Sequence, residues 1–139
     1  MLLPGASNQD VTITNLSLHK GHRVEVRGRI LKDTKRFAVD MGADAENLIM
    51  HCNPRFEFSV DKNTIIFNSK QNGVWGTEQK ETAFPFQAGS ETMLIFEFED
   101  CITVLLPDGT EVPFTCRFPI DVINYLALYN LELISISVH

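Results

Sequence analysis

Residues 91–99 read Glu91-Thr92-Met93-Leu94-Ile95-Phe96-Glu97-Phe98-Glu99. The i, i+2 spacing of Phe96 and Phe98 puts both rings on one face of a β-strand and turns Glu97 to the other, because successive strand side chains point to opposite sides. The same spacing recurs in Phe56/Phe58 and Phe84/Phe86. On either side of this stretch, strand candidates fall at 11–18, 23–31, 36–41, 47–56, 63–70, 81–86, 101–106, 111–116 and 131–138. Turn-forming residues separate them: Lys20-Gly21, Lys32-Asp33, Gly42-Ala43-Asp44, Gln71-Asn72-Gly73, Ala88-Gly89 and Pro107-Asp108-Gly109. Many short strands punctuated in this way make an all-β sandwich or barrel. Only 119–129, with apolar residues at 122, 123, 126 and 127, has a helical look, and it reads as a short helical connection between sheets. No repeat or linker appears, so one domain is expected.

The chain has 139 residues, 44% of them hydrophobic, and a formal net charge of −6. A chain of this size buries about 68% of its unfolded surface and needs no disulfide or metal to fold. Its 12 Lys and Arg are scattered, which argues against nucleic acid or an anionic membrane as partner. Cys52, Cys101 and Cys116 are odd in number and widely spaced, so neither a zinc site nor any other metal or cofactor is expected, and free thiols suit a reducing compartment. The start, MLLPGASNQD, lacks the basic segment and long apolar stretch of a signal peptide, and no 18-residue apolar run suggests a membrane span. Asn15-Leu16-Ser17 fits the N-glycosylation pattern and is read as chance.

The chemistry gathers in His51-Cys52-Asn53-Pro54-Arg55. On a strand His51, Asn53 and Arg55 share the solvent face, while Cys52 and Pro54 turn toward the core, the parity that Phe56 and Phe58 continue. Pro54 cannot donate to a ladder, so the strand is expected to be bulged, twisted or unpaired there. Alone, such a row is more often just a wet strand face. Asn68, after the apolar run 64–67, can join it from the next strand. Trp75, the single tryptophan, lies between Val74 and Gly76 with its ring partly uncovered, and Glu78 follows three residues later. An indole beside a row of hydrogen-bonding groups suits a pyranose, which has one face of C–H groups and an edge of hydroxyls. A Glu78 carboxylate beside Arg55 is expected to form a charge-assisted pair with it.

Together, His51–Phe56, Asn63–Lys70 and Trp75–Glu81 resemble the galectin signature. Lys35–Gly42, Phe84-Pro85-Phe86-Gln87 with Gly89, and Leu106-Pro107-Asp108-Gly109 are similar to galectin framework, closest to the small, single-domain, dimer-forming members. The resemblance implies a jelly-roll β-sandwich of two antiparallel sheets, with residues 1–10 an N-terminal leader and 11–139 a carbohydrate-recognition domain. It implies a non-catalytic lectin for β-galactosides of the lactose and N-acetyllactosamine type, carried on glycoproteins and glycolipids. His51 and Arg55 would hold the axial 4-OH of galactose with Asn53 beside them. Asn68 and Glu78 would take the 6-OH, and Trp75 would stack on the ring. Arg55 and Glu78 would also reach the 3-OH of the adjoining sugar.

Three departures bear on this. Lys80 stands where the family often has Arg, so its network with Asp61 and Glu78 should be looser and the grip on the second sugar weaker. Ser59 replaces a second His of close relatives, which puts that contact in doubt. Arg36, with Asp40 on the same face, either favours extended or anionic glycans or is simply an exposed strand arginine.

The terminal segments Val11–Leu16 and Leu131–Val138 alternate cleanly, and the last is protected only by Glu132. Galectins of this type pair such strands across a two-fold axis, so a homodimer is expected; the alternative is an edge capped by the leader. The resemblance also implies cytoplasmic synthesis with non-classical secretion to the extracellular space. Two other functions stay open. One is a glycosidase pairing Glu78 with Asp61 or Glu57, disfavoured by the expected Arg55–Glu78 pair. The other is an interaction module of the same fold with weak or lost sugar binding.

Overall fold

The computed structural model describes residues 11–139, and the expected leader at 1–10 lies outside them. The strands, in chain order, are β1 (Val11–His19), β2 (Arg23–Ile30), β3 (Ala38–Asp44), β4 (Asn47–Phe58), β5 (Asp61–Gln71), β6 (Val74–Trp75), β7 (Gln79–Glu81), β8 (Glu91–Phe98), β9 (Cys101–Leu105), β10 (Glu111–Thr115), β11 (Val122–Tyr129) and β12 (Leu131–Val138). Every pairing is antiparallel. One sheet runs β1-β11-β3-β4-β5, with β6 and β7 both on the free side of β5; the other runs β10-β9-β8-β2-β12. The all-β sandwich of two antiparallel sheets stands.

The alternation of 91–99 does what its spacing requires. Thr92, Leu94, Phe96 and Phe98 are buried, with half-exposed residues between them. Leu94, Phe96 and Phe98 join one core with Val24, Val26 and Ile30 of β2 and Ile102 and Val104 of β9, and across the interlayer with Val39, Met41, Cys52, Ile65 and Phe67. Phe84 and Phe86 pack edge-on at 5.3 Å and continue to Phe56 and Phe37 at 5.1 and 5.2 Å.

Several local readings are corrected. The segment expected to be helical is strand β11, and no helix occurs among the described residues. Lying between β1 and β3, β11 buries Leu126 and Leu128 in the core and Ala127 on its other face. Burial on both faces erases the period of two and leaves an apolar run that a helix could share. Of 81–86, only Glu81 is in a strand, at the end of β7. Gly42-Ala43-Asp44 is not a turn: β3 runs through it with register shifts around Gly42, and the turn comes at 45–46. There the Asp44 carboxylate accepts from the Glu46 N–H and the Asn47 side chain. Phe58 leaves the core and lies under two guanidinium groups, with Arg36 at 3.9 Å and Arg55 at 5.1 Å from its ring centre.

Gly42 is needed for close approach. A Cβ there would lie 2.1 Å from the Asn47 carbonyl oxygen and 2.7 Å from the Leu48 Cα, both backbone atoms. Gly42→Ala is expected to destabilise the fold by about 1–3 kcal/mol. The check is a urea titration, where the midpoint should fall with the slope unchanged.

The outer strands β1 and β12 are less regular than their sequence alternation suggests. In β1 the register breaks between Thr14 and Leu18, Asn15 and Ser17 take left-handed φ of 57° and 55°, and the Ser17 N–H donates to the Asn124 side chain. In β12 it breaks between Leu133 and Ser135, and Ile134 stands 45% exposed. Bulges of this kind blunt indiscriminate edge pairing.

Candidate functional site

The outer face of β3, β4 and β5 carries the polar row. Registration places Asp40, His51 and Asn68 in one line across the three strands, with Asn53 opposite Ile66 and Arg55 opposite Thr64 one and two steps along. The β5–β6 hairpin folds back so that Trp75 pairs with Lys70, and the loop after it brings Gly76 and Glu78 over the same face. The result is an open groove of about 370 Å³ bounded by His51, Asn53, Arg55, Asn68, Trp75 and Glu78. All six residues singled out in the sequence are therefore brought together. A neighbouring hollow of about 350 Å³ shares Arg36, His51, Asn53 and Trp75 and continues over Asp40, Lys70, Tyr129 and Asn130.

Each polar group is held from behind. The carboxylate of Asp40 can only accept, so His51 Nδ1 donates to it across 2.5 Å, and in the neutral ring Nε2 is the acceptor. The His51 ring also leans on Trp75, centroids 4.7 Å apart. Trp75 is 46% exposed, with the Lys70 ammonium 4.7 Å from its ring centre.

Pro54 acts differently from expectation. It keeps register opposite Ile65, and its carbonyl accepts from the Phe37 N–H at 3.1 Å. The reciprocal donor, the N–H that proline lacks, is supplied by the Asn53 side chain, whose Nδ2 donates to the Phe37 carbonyl at 2.8 Å. Asn53 is thereby locked and 1% exposed, with its Oδ1 accepting from Arg55 Nε at 3.0 Å.

Arg55 is the hub. Beyond Asn53, its Nη1 donates to Asp61 Oδ2 at 2.8 Å, and Lys80 Nζ donates to the other oxygen of Asp61 at 2.9 Å. The expected tight pair with Glu78 is not formed. The nearest approach, from Nη2, is 4.0 Å and the Glu78 side chain is 44% exposed, while Asp61 takes Nη1. Lys80 likewise engages Asp61 rather than bridging to Glu78. Arg36 lines both hollows, its carbonyl accepting from Thr34 Oγ1 and Asn130 Nδ2. Ser59 does not join: it sits at the exposed β4–β5 turn with φ 59°.

Two pKa shifts describe the surroundings. Lys80 first, then Arg55, by hydrogen bonds and charge, hold the Asp61 carboxyl below its ordinary range against some desolvation. Burial, reinforced by Asp40, pushes the Cys52 thiol far above its ordinary range, so it is inert in the core. A carboxylate depressed on folding supports the fold above its unfolded pKa of about 3.9 and loses that support as pH falls through its folded value. Lys80→Ala removes the largest cause. Asp61 should then titrate at higher pH, and the acid limb of unfolding, followed by circular dichroism, should move up with it. An unmoved limb would show that Arg55 alone sets the Asp61 charge.

Arg117, in the connection after β10, was not foreseen. Its Nη1 donates to Asn68 Oδ1 at 3.0 Å and Ser69 Oγ at 3.1 Å. Nothing in a local pattern marks it, since 49 positions separate Arg117 from Asn68. Lys70 could have been found, lying two residues beyond Asn68 on the same face. Among the described residues no group of three or more His, Cys, Asp or Glu could hold a metal, and no helix is long and apolar enough to cross a membrane.

A family model described as galactoside-binding lectin matches residues 10–138. The crystal structure of galectin-Va from Xenopus laevis is 77% identical, with TM-score 0.93 over 95% of this chain and 97% of that one. A toad ovary galectin, solved in complex with thio-digalactose, is 41% identical with TM-score 0.93, covering 96% and 100% of the two chains. CG-16, a homodimeric agglutinin from chicken liver, is 35% identical with TM-score 0.90 over 94% and 100%.

Proposed function

The chain belongs to the galactoside-binding lectin family, the galectins, and on that footing we propose that its groove binds β-galactosides of the lactose and N-acetyllactosamine type without altering them. The observation that carries this is the pairing of a half-exposed indole with a braced polar row. His51 Nε2 and Arg55 meet the axial 4-OH of galactose, with Asn53 holding Arg55 in place. Asn68 and Glu78 take the 6-OH, and Trp75 covers the C–H face. An equatorial 4-OH leaves these donors and acceptors unpaired in a partly desolvated groove, a large penalty. Glu78, only loosely tied to Arg55, is free to swing onto the second sugar.

Trp75 is the only tryptophan, so its fluorescence reports the site directly. Lactose is expected to shift the emission saturably, and cellobiose, which differs at the 4-OH of the terminal ring, is expected to leave it unchanged. An equal response to both sugars overturns the assignment. No response to lactose favours an interaction module that has lost sugar binding. Catalysis is not expected: a glycosidase needs two carboxyl groups flanking the scissile bond, and of Glu78, Asp61 and Glu57 only Glu78 lines the groove. Turnover of a nitrophenyl β-galactoside above buffer would overturn that view.

The lectin acts as a homodimer through β1 and β12 and cross-links glycoproteins and glycolipids. Homodimeric CG-16 supports this, and the bulges in both outer strands make the pairing selective rather than open-ended. A monomer-sized species in sedimentation at tens of micromolar would end the claim. The protein is made in the cytosol and reaches the extracellular space without classical secretion, a reading supported by three free cysteines. Arg36, between the two hollows, extends the site toward groups on galactose O3. A glycan array in which Arg36→Ala leaves the ranking of O3-substituted glycans unchanged would remove it.

A further inference from the structure

We infer that Arg117 is a positioning residue for the sugar: with the space left by Gly76, it fixes the Asn68 carboxamide so that an N–H, not the carbonyl, faces the groove. The inference rests on the galactoside reading and deepens it, naming what sets the polarity at the 6-OH.

A carboxamide has two acceptor lone pairs and two N–H donors. Asn68 is 5% exposed, and three of these four valences are engaged. Its Oδ1 accepts from the Ser69 N–H at 2.8 Å and from Arg117 Nη1 at 3.0 Å, and its Nδ2 donates to the Gly76 carbonyl at 3.0 Å. The oxygen is saturated, so the remaining N–H is what Asn68 offers a ligand. A hydroxyl there must accept from Asn68 and turn its own proton to an acceptor, which the Glu78 carboxylate on the same groove provides.

Arg117 is anchored for this task. Its guanidinium stacks 4.8 Å over Phe114, a fully buried ring that packs at 6.1 Å on Phe67, the residue before Asn68. Gly76 completes the unit. Its φ is not in the left-handed region, so it is not there to make a turn. A Cβ at this position would lie 2.9 Å from Arg117 Nη1, 3.1 Å from Ser69 Oγ and 3.2 Å from Asn68 Oδ1. The nearest of these atoms ends a flexible side chain, so an alanine at 76 would displace the guanidinium rather than break the sheet.

The test is calorimetric titration of wild type, Arg117→Ala, Arg117→Lys, Gly76→Ala and the Arg117→Ala/Gly76→Ala double variant with lactose and with 6′-deoxylactose, thermal midpoints being measured in parallel. Arg117→Ala should weaken lactose about five- to tenfold, the worth of the one neutral hydrogen bond between Asn68 and the 6-OH. Binding of 6′-deoxylactose, which lacks the hydroxyl that Asn68 meets, should change less than about twofold by the same reasoning. Gly76→Ala should reproduce this pattern, the double variant should add nothing further, and Arg117→Lys, which keeps a cationic donor, should fall between. Equal losses on both sugars, additive losses in the double variant, or no loss on lactose would each overturn the positioning role. Failure of wild type to bind lactose would overturn the galactoside reading, and this inference with it.

Discussion

Arg55→Ala is expected to reduce lactose affinity by more than about a hundredfold and to destabilise the fold by about 2–3 kcal/mol, because it removes a ligand group and strands a buried charge. Arg55 donates to Asn53 and Asp61 and stacks on Phe58. Without it the Asn53 Oδ1 loses its donor, and Asp61, whose side chain is 7% exposed, keeps only Lys80. Removing one partner of a buried pair costs about 3–5 kcal/mol when nothing else compensates; the surviving Lys80 contact places this case below that range. Arg55→Lys should not rescue binding. A lysine is one point donor, while the site uses Nε toward Asn53 and Nη1 toward Asp61 at once. Calorimetry with lactose and urea unfolding read the two effects separately. Near-wild-type affinity in Arg55→Lys would show that charge alone, not the fork, is recognised.

Trp75→Leu should separate binding from stability. An indole closing on the C–H face of galactose removes roughly 80 Å² of apolar surface from water, worth ~2 kcal/mol at about 25 cal/mol/Å². Lactose affinity should therefore fall about thirtyfold. The ring is 46% exposed in the free protein, so unfolding free energy should change by less than about 0.5 kcal/mol. A parallel loss of stability would mean that Trp75 serves chiefly to hold His51, on which it packs at 4.7 Å.

These two residues show how far a linear reading reaches. Arg55 was legible as a site residue because parity on a strand is local: His51, Asn53 and Arg55 must share a face wherever the strand goes. Its partner was not, because the choice between Asp61 and Glu78 depends on how the β4–β5 turn and the loop after β6 approach it. The missing ladder donor of Pro54 is legible in the chain, yet its consequence is not the expected bulge or unpaired strand but a Phe37 carbonyl taken by the Asn53 side chain, which needed the neighbouring strand in place. Likewise β11 hid its strand character because both of its faces are covered.

The all-β sandwich, the polar face of β4 and the six residues that meet in the groove were all legible in the chain before it was folded. The strands and the shared face of His51, Asn53 and Arg55 follow from a period of two, which acts between near neighbours in the chain. The choice of sandwich over barrel, and Asn68, Trp75 and Glu78 as companions in one site, follow from the resemblance to galectins. Three-dimensional packing was needed to see that Asp61 rather than Glu78 holds Arg55, that β11 is a strand, that Ser59 stands aside and that Arg117 secures Asn68. Each of those depends on which distant segments are brought within hydrogen-bonding reach, and a 3 Å contact between residues 49 apart leaves no local period from which it could be read.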